Sequence, residues 1–312
     1  MNIQPIRIGT RGSQLALYQA EKVKATLQQQ APEIPVELVI IHSKGDKILD
    51  VALSKIGDKG LFTKELEEAL YRNEIDMAVH SLKDLPTTLP EGLKLGGVLE
   101  RGEVRDALVS IKGITMDTLS PAHTIATSSL RRKAQLLKIN PDLHIVDIRG
   151  NVNTRLRKME EGHCDAMFMA AVGLQRLGLD NYISEVIEPN VIIPAVSQGA
   201  IAMETRQNDA RVDAVVQAIN HKPTFITITA ERIFLKKLEG GCQIPIGCYS
   251  KVEGDSFTMT GFMAYIDGTN YMEETLSGKV SESETIANQL ADYFISRGSG
   301  QLLERIRNAN QE

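Results

Sequence analysis

Residues able to do chemistry crowd into one heptapeptide, His80-Ser81-Leu82-Lys83-Asp84-Leu85-Pro86. An imidazole, a hydroxyl, an ammonium and a carboxylate within five positions suit a ligand site. A plain surface turn with two solvated charges is the other reading, and the heptapeptide alone leaves both open. The preceding apolar run, Met77-Ala78-Val79, reads as the end of a buried strand, and Pro86 forces the chain to turn. The polar residues therefore stand at a strand's exit, where open α/β sheets bind ligands. Lys83 and Asp84 are neighbours that point to opposite sides of an extended segment, so they need not pair with each other.

A second concentration is Gly240-Gly241-Cys242-Gln243-Ile244-Pro245-Ile246-Gly247. Three glycines and a proline around one thiol impose a tight, fixed loop. Presenting a thiol at a chosen point needs such a loop, and packing a small apolar side chain does not. Three readings stay open here: an inert buried cysteine, a nucleophile, or a cysteine that carries a group covalently. Cys164 and Cys248 lack comparable surroundings and read as structural. No spacing among the three cysteines resembles a zinc site, and no metal is expected.

Arginines recur at helix starts. Strands at Thr124–Ala126, Leu143–Ile148 and Ala166–Met169 lead to Thr127-Ser128-Ser129-Leu130-Arg131-Arg132, to Arg149-Gly150-Asn151-Val152-Asn153-Thr154-Arg155, and to Ala170-Ala171-Val172-Gly173 with Arg176 in the next turn. An earlier case is Ile6-Arg7-Ile8 followed by Gly9-Thr10-Arg11-Gly12, with Ser13 placed to cap a helix running to about Gln30. Guanidinium forks bind carboxylates bidentately, and helix N-termini add backbone donors. Several such starts at one end of a sheet point to a cleft for a ligand with many carboxylates or phosphates. No Gly-x-x-x-x-Gly-Lys-Ser/Thr is present, so nucleotide phosphate is not favoured.

The elements that must position these groups alternate. Strands at 6–8, 36–41 and 76–79 with helices from Ser13 and from Thr63 give β-α-β-α-β, the order of a doubly wound parallel sheet. Between them, His42 to Gly60 carries Lys44, Lys47, Lys55 and Lys59 with little periodicity, the look of a mobile lid. A crossing is expected near Gly96 to Asp106 and another near Ile192 to Ala200, with a helix from Asp209 to Asn220 following. From about Pro223 a helix, three strands and two helices make an α+β unit.

Bulk properties narrow the class. The chain has 312 residues, enough for two or three domains. Its net charge of −5 argues against nucleic acid or an acidic membrane as the main partner. Aromatics at 4%, with no Trp, disfavour base stacking. No signal peptide or spanning segment is visible at the N-terminus or along the chain, and three cysteines suit a reducing compartment, so a cytoplasmic protein is expected.

Taken together in order, the stretches at 9–13, 80–86, 127–132, 149–155, 198–199, and Glu231-Arg232 through Cys242 to Gly247 resemble the porphobilinogen deaminase (hydroxymethylbilane synthase) family. The last sixty or so residues carry no specific motif. The resemblance implies two periplasmic-binding-protein-like, doubly wound α/β domains with a hinged cleft, plus a smaller α+β C-terminal domain. Expected boundaries are 1–99 with 200–217, 105–193, and 222–312. It implies a transferase that joins four porphobilinogen units head to tail with loss of ammonia and releases hydroxymethylbilane with water, in tetrapyrrole (haem) biosynthesis. It implies a dipyrromethane cofactor held by thioether to Cys242. Asp84 becomes the catalytic carboxylate, with proton shuttling a further option. Lys83, Ser81, Ser13, Thr127, Ser129, Arg131, Arg132, Gly150, Asn151 and Gly173 become cofactor-binding. Arg11, Arg149, Arg155, Arg176 and Gln198 fall to substrate, and Lys55 and Lys59 to a lid. A monomer without nucleic-acid or membrane partners is implied. Two other classes compete: a two-lobed binding protein for a small anion, which leaves the cysteine loop unexplained, and a cysteine-dependent transferase unrelated to tetrapyrroles.

Overall fold

The computed structural model describes residues 4–42, 63–238 and 244–309. The strands in chain order are β1 (Ile6–Thr10), β2 (Val36–Ile40), β3 (Met77–Ser81), β4 (Leu93–Val98), β5 (Asp106–Val109), β6 (Thr124–Ala126), β7 (His144–Val146), β8 (Ala166–Ala170), β9 (Ile183–Ile187), β10 (Ile201–Arg206), β11 (Ile246–Glu253), β12 (Ser256–Met263) and β13 (Met272–Lys279). They form two five-stranded sheets, ordered β2-β1-β3-β10-β4 and β7-β6-β8-β5-β9, and a three-stranded meander, β11-β12-β13.

The chain divides into two compact units, residues 1–102 with 199–225, and residues 103–198 with 226–312. The five-stranded sheets share one plan. In the first, β1 lies parallel to β2 and β3, and β10 runs antiparallel between β3 and β4. In the second, β6 lies parallel to β7 and β8, and β5 runs antiparallel between β8 and β9. The sequence order predicts doubly wound parallel sheets, and one reversed strand in each is what it does not show. The reversal has a topological cause: β5 and β10 are the strands the chain enters directly after passing from one unit to the other, so each arrives against the local winding.

Both sheets are covered on two faces, as sheets with parallel strands require. In the first unit Ile8, Met77 and Val216 belong to an apolar cluster that also holds Val23 of the helix Gln14–Gln30. On the other face Ala78 packs with Leu66 and Leu70 of the helix Lys64–Tyr71. In the second unit Met167 and Phe168 fall in separate clusters, as alternation along β8 demands. The meander is covered on one side only. Phe234 from the helix Lys222–Lys237 meets Phe294 from Ser283–Ser296 edge to face at 5.5 Å, while β13 alternates between partly covered and exposed residues. Among the described residues, no helix is long and apolar enough to cross a membrane.

Candidate functional site

In the first unit, the pairing of Gly9 with Ala78 sends β1 and β3 out of the same sheet edge. Arg11 and the heptapeptide therefore leave side by side. Ser13 caps the helix Gln14–Gln30 by accepting from the Ala16 amide at 3.3 Å. That helix returns a tie to β3, because Gln19 Nε2 donates to Ser81 Oγ at 2.6 Å. Leu82–Asp84 form a single 3₁₀ turn. Its first residue is fully buried, and its amide donates to the Ala200 carbonyl at 3.1 Å. Leu82 thus anchors the turn, leaving Lys83 half-buried and Asp84 exposed.

Behind the turn lies a buried polar pair that the sequence did not reveal. His80 Nε2 and Glu204 Oε2 are 2.9 Å apart, with the side chains 5% and 0% exposed. Glu204 Oε1 has no hydrogen-bond partner among the described residues. The signal was present: an acid that directly continues the apolar run Ile201-Ala202-Met203 is costly to bury unless it is paired. Glu67, on the helix Lys64–Tyr71, has its carboxyl pushed above the usual carboxylate range, chiefly by burial and also by the Glu204 charge.

The opposite edge of the same sheet holds a different cluster. Asp76 accepts from the Arg7 amide at 2.8 Å and from both arms of the Arg7 guanidinium at 3.1 Å, with Arg206 and Arg211 each at 3.5 Å. Burial pushes the Asp76 carboxyl up, but the Arg7 hydrogen bonds and the nearby charges outweigh it and hold it below the usual range. These contacts fasten β1, β3 and β10 together and face away from the heptapeptide's edge.

In the second unit β6, β7 and β8 also exit together, since Ile125 pairs with both Ile145 and Ala166. Thr127 Oγ1 accepts from the Ser129 amide at 3.2 Å, and Ser129 caps Leu130–Ile139 by accepting from the Arg132 amide at 3.4 Å. Asn151 caps Val152–Glu160 by accepting from the Thr154 amide at 2.9 Å. Gly150 has φ +114, and a Cβ there would stand 2.6 Å from Thr154 Cγ2, so only glycine fits that turn. Arg155 Nε donates to the Gly150 carbonyl at 2.8 Å. Arg149 is half-buried, and its guanidinium has no hydrogen bond or ion pair among the described residues. Gly173 lies buried in the short helix Ala171–Gln175, and Arg176 follows it, half-buried.

Arg131 and Arg132 turn inward. Both are buried and grip the same carboxylate, Asp106, at 2.7 and 2.8 Å. Gln198 Nε2 joins them on Asp106 at 2.9 Å and also donates to the Val104 carbonyl at 2.7 Å. Arg132 Nε is buried with no hydrogen-bond partner among the described residues. Nearby, Glu231 accepts from the Ser197 amide at 2.7 Å and from the Ser250 amide and hydroxyl, both at 2.9 Å. Sequence reasoning assigned Asp106 only to a crossing and gave Glu231 no role, because their partners are distant along the chain.

Cys242, Lys55 and Lys59 lie outside the described residues. Cys164 and Cys248 are buried within apolar clusters, and burial with the Asp165 charge pushes the Cys164 thiol up to about 11. A thiol so raised is a poor nucleophile. No group of side chains suited to a metal ion occurs among the described residues.

Comparison with known proteins agrees with the motif order. Residues 6–214 match the model described as porphobilinogen deaminase, dipyromethane cofactor binding domain, and residues 225–296 match the porphobilinogen deaminase C-terminal domain. A porphobilinogen deaminase of Geobacter sulfurreducens is 47% identical over 98% of this chain and 96% of its own. One from a Nostoc species is 48% identical over 96% of this chain and 94% of its own. A probable amino-acid ABC transporter extracellular-binding protein of Bacillus subtilis is similar in structure at TM-score 0.41 and 14% identity, over 75% of this chain and 97% of its own. With both family models matched and the relatives covered almost end to end, the chain belongs to the porphobilinogen deaminase family.

Proposed function

We propose that the chain is a transferase of tetrapyrrole (haem) biosynthesis that joins four porphobilinogen units head to tail, releasing ammonia and then hydroxymethylbilane. The observation that carries this reading is the placement of the family's motif residues at the carboxyl edges of the two sheets of a chain that matches the family almost end to end. When bound through Cys242, a dipyrromethane supplies the pyrrole end to which the first unit is added. The residues present suit such a group. Arg131, Arg132 and Asp106 sum to one positive charge, and Arg132 Nε is a buried donor awaiting an acceptor. A carboxylate satisfies both.

Asp84 takes the catalytic role. It is an exposed carboxylate on an anchored turn, free to meet a substrate pyrrole. Its charge offsets the positive charge left on that pyrrole as ammonia departs, and its oxygens accept from pyrrole N–H groups. Lys83, Ser81, Ser13, Thr127, Ser129, Arg131, Arg132, Gly150, Asn151 and Gly173 are assigned to the cofactor. Arg11, Arg149, Arg155, Arg176 and Gln198 are assigned to the acetate and propionate groups of substrate. Lys55 and Lys59 are assigned to a lid. The proposed domains are 1–99 with 200–217, 105–193, and 222–312. A cytoplasmic monomer is proposed, in keeping with two buried, unbridged cysteines.

Incubation of the purified protein with porphobilinogen tests the reading. One ammonia is expected per porphobilinogen consumed, and one linear tetrapyrrole per four. A protein that binds porphobilinogen and returns it unchanged would contradict the transferase reading and favour an anion-binding protein.

A further inference from the structure

Asp106 begins β5 just after the chain enters the second unit at residue 103. It is fully buried, and three side chains from two other segments converge on it. Oδ1 accepts from Arg132 Nη2 at 2.8 Å and from Gln198 Nε2 at 2.9 Å, while Oδ2 pairs with Arg131 Nη2 at 2.7 Å. Each guanidinium has a second fixed point: Arg131 Nη1 donates to the Ile193 carbonyl at 2.7 Å, and Arg132 Nη1 to the Phe168 carbonyl at 2.9 Å. Neither side chain can swing without breaking two bonds. Two buried guanidiniums repel, and the carboxylate between them allows both to stay charged in place.

Buried triads of this kind often serve the core alone. Two observations separate this one. The triad is not neutral, since two cations share one anion. It also leaves Arg132 Nε buried and without a hydrogen-bond partner among the described residues, which is costly unless an acceptor arrives. Both arginines open the helix Leu130–Ile139 directly behind the exit of β6. Burial alone would push the Asp106 carboxyl up, but the charges of the two arginines and the hydrogen bonds from Arg132 and Gln198 hold it far below the usual range, so it stays ionised at any working pH.

We propose that Asp106 is a positioning residue, which sets Arg131 and Arg132 as a ready-made carboxylate cradle before the dipyrromethane arrives. The proposal rests on the functional reading above. Through Gln198 the same carboxylate ties the cradle to the last residue of the stretch by which the chain leaves the second unit.

Wild type, Asp106→Asn and Asp106→Glu are purified in parallel and compared by intact mass and by thermal unfolding. Asp106→Glu keeps the charge but adds a methylene that displaces the carboxylate from its partners, so its unfolding midpoint stays closer to wild type than that of Asp106→Asn. Its occupancy by the two-pyrrole mass is expected to fall about tenfold, the effect of one weakened charge-assisted contact. Asp106→Asn is expected to lose occupancy and midpoint together. Full occupancy in either folded variant overturns the proposal. Failure of both variants to fold beside a loaded wild type also overturns it, because Asp106 then serves the core alone. A wild type lacking the two-pyrrole mass overturns the functional reading itself, and this proposal with it, whereas loaded wild type beside loaded variants overturns the proposal only.

Discussion

His80 and Glu204 meet at 2.9 Å on neighbouring antiparallel strands, both shut away from solvent directly behind the turn that carries Asp84. The contact ties the exit of β3 to β10, the strand by which the chain re-enters the first unit. Removing one partner leaves the other buried and unsatisfied, which costs about 1–3 kcal/mol. Glu204→Leu is therefore expected to lower stability by that amount in urea unfolding, and Glu204→Gln, which keeps an acceptor for the imidazole, by less than half as much. Equal losses for the two variants would show that the hydrogen bond contributes nothing.

Asp84 behaves oppositely. It is exposed, and its turn is held by Leu82, so Asp84→Asn leaves the fold as it is. A unit charge pair at about 4 Å in an effective dielectric of about 20 is worth roughly 4 kcal/mol, on the order of a thousandfold in rate. Turnover of porphobilinogen is expected to drop by that factor while the unfolding midpoint is unchanged. Near-normal turnover would remove Asp84 from the chemistry.

Acid stability should follow Asp76. Its folded pKa lies below its unfolded value, so it stabilises the fold fully above the unfolded pKa of about 3.9 and loses that contribution as pH falls through the folded value. Asp76→Asn is expected to weaken the protein at pH 7 and to flatten the decline below about pH 4, measured by urea unfolding across that range. An unchanged acid limb would mean that the Arg7 contact is not coupled to folding.

Glu67 has the reverse sign. Its folded pKa lies above its unfolded value, so its ionisation costs stability at neutral pH, and the cost disappears below the unfolded pKa of about 4.3. Glu67→Gln is expected to raise the unfolding midpoint at pH 8 by roughly 2 °C, the shift that about 0.5–1 kcal/mol gives in a chain of this size. The gain should vanish near pH 4.

Local features were legible in the sequence. Ser13 caps its helix as its side chain predicts, and β6 spans the three residues assigned to it, whereas Thr63, expected to cap the helix Lys64–Tyr71, precedes it without a side-chain cap hydrogen bond. The heptapeptide lies at a strand's exit, as Pro86 and the apolar run before it require. What escaped was long-range. β10 reads as one more apolar run, and nothing local marks it as antiparallel or as a neighbour of β3. Helical spacing puts Arg131 and Gln135 on one face, yet it cannot say that this face is buried against the Ile193 carbonyl, to which both donate. Asp106 took its meaning only from residues 25 or more positions away, which no window on the sequence spans.

The covalent claim is tested most directly by the intact mass of the purified native chain beside Cys242→Ser. A wild-type mass above that of the bare chain by two linked pyrroles, absent from Cys242→Ser and retained in Cys164→Ser and Cys248→Ser, is the predicted result. A bare-chain mass in a wild-type protein that still converts porphobilinogen would contradict it.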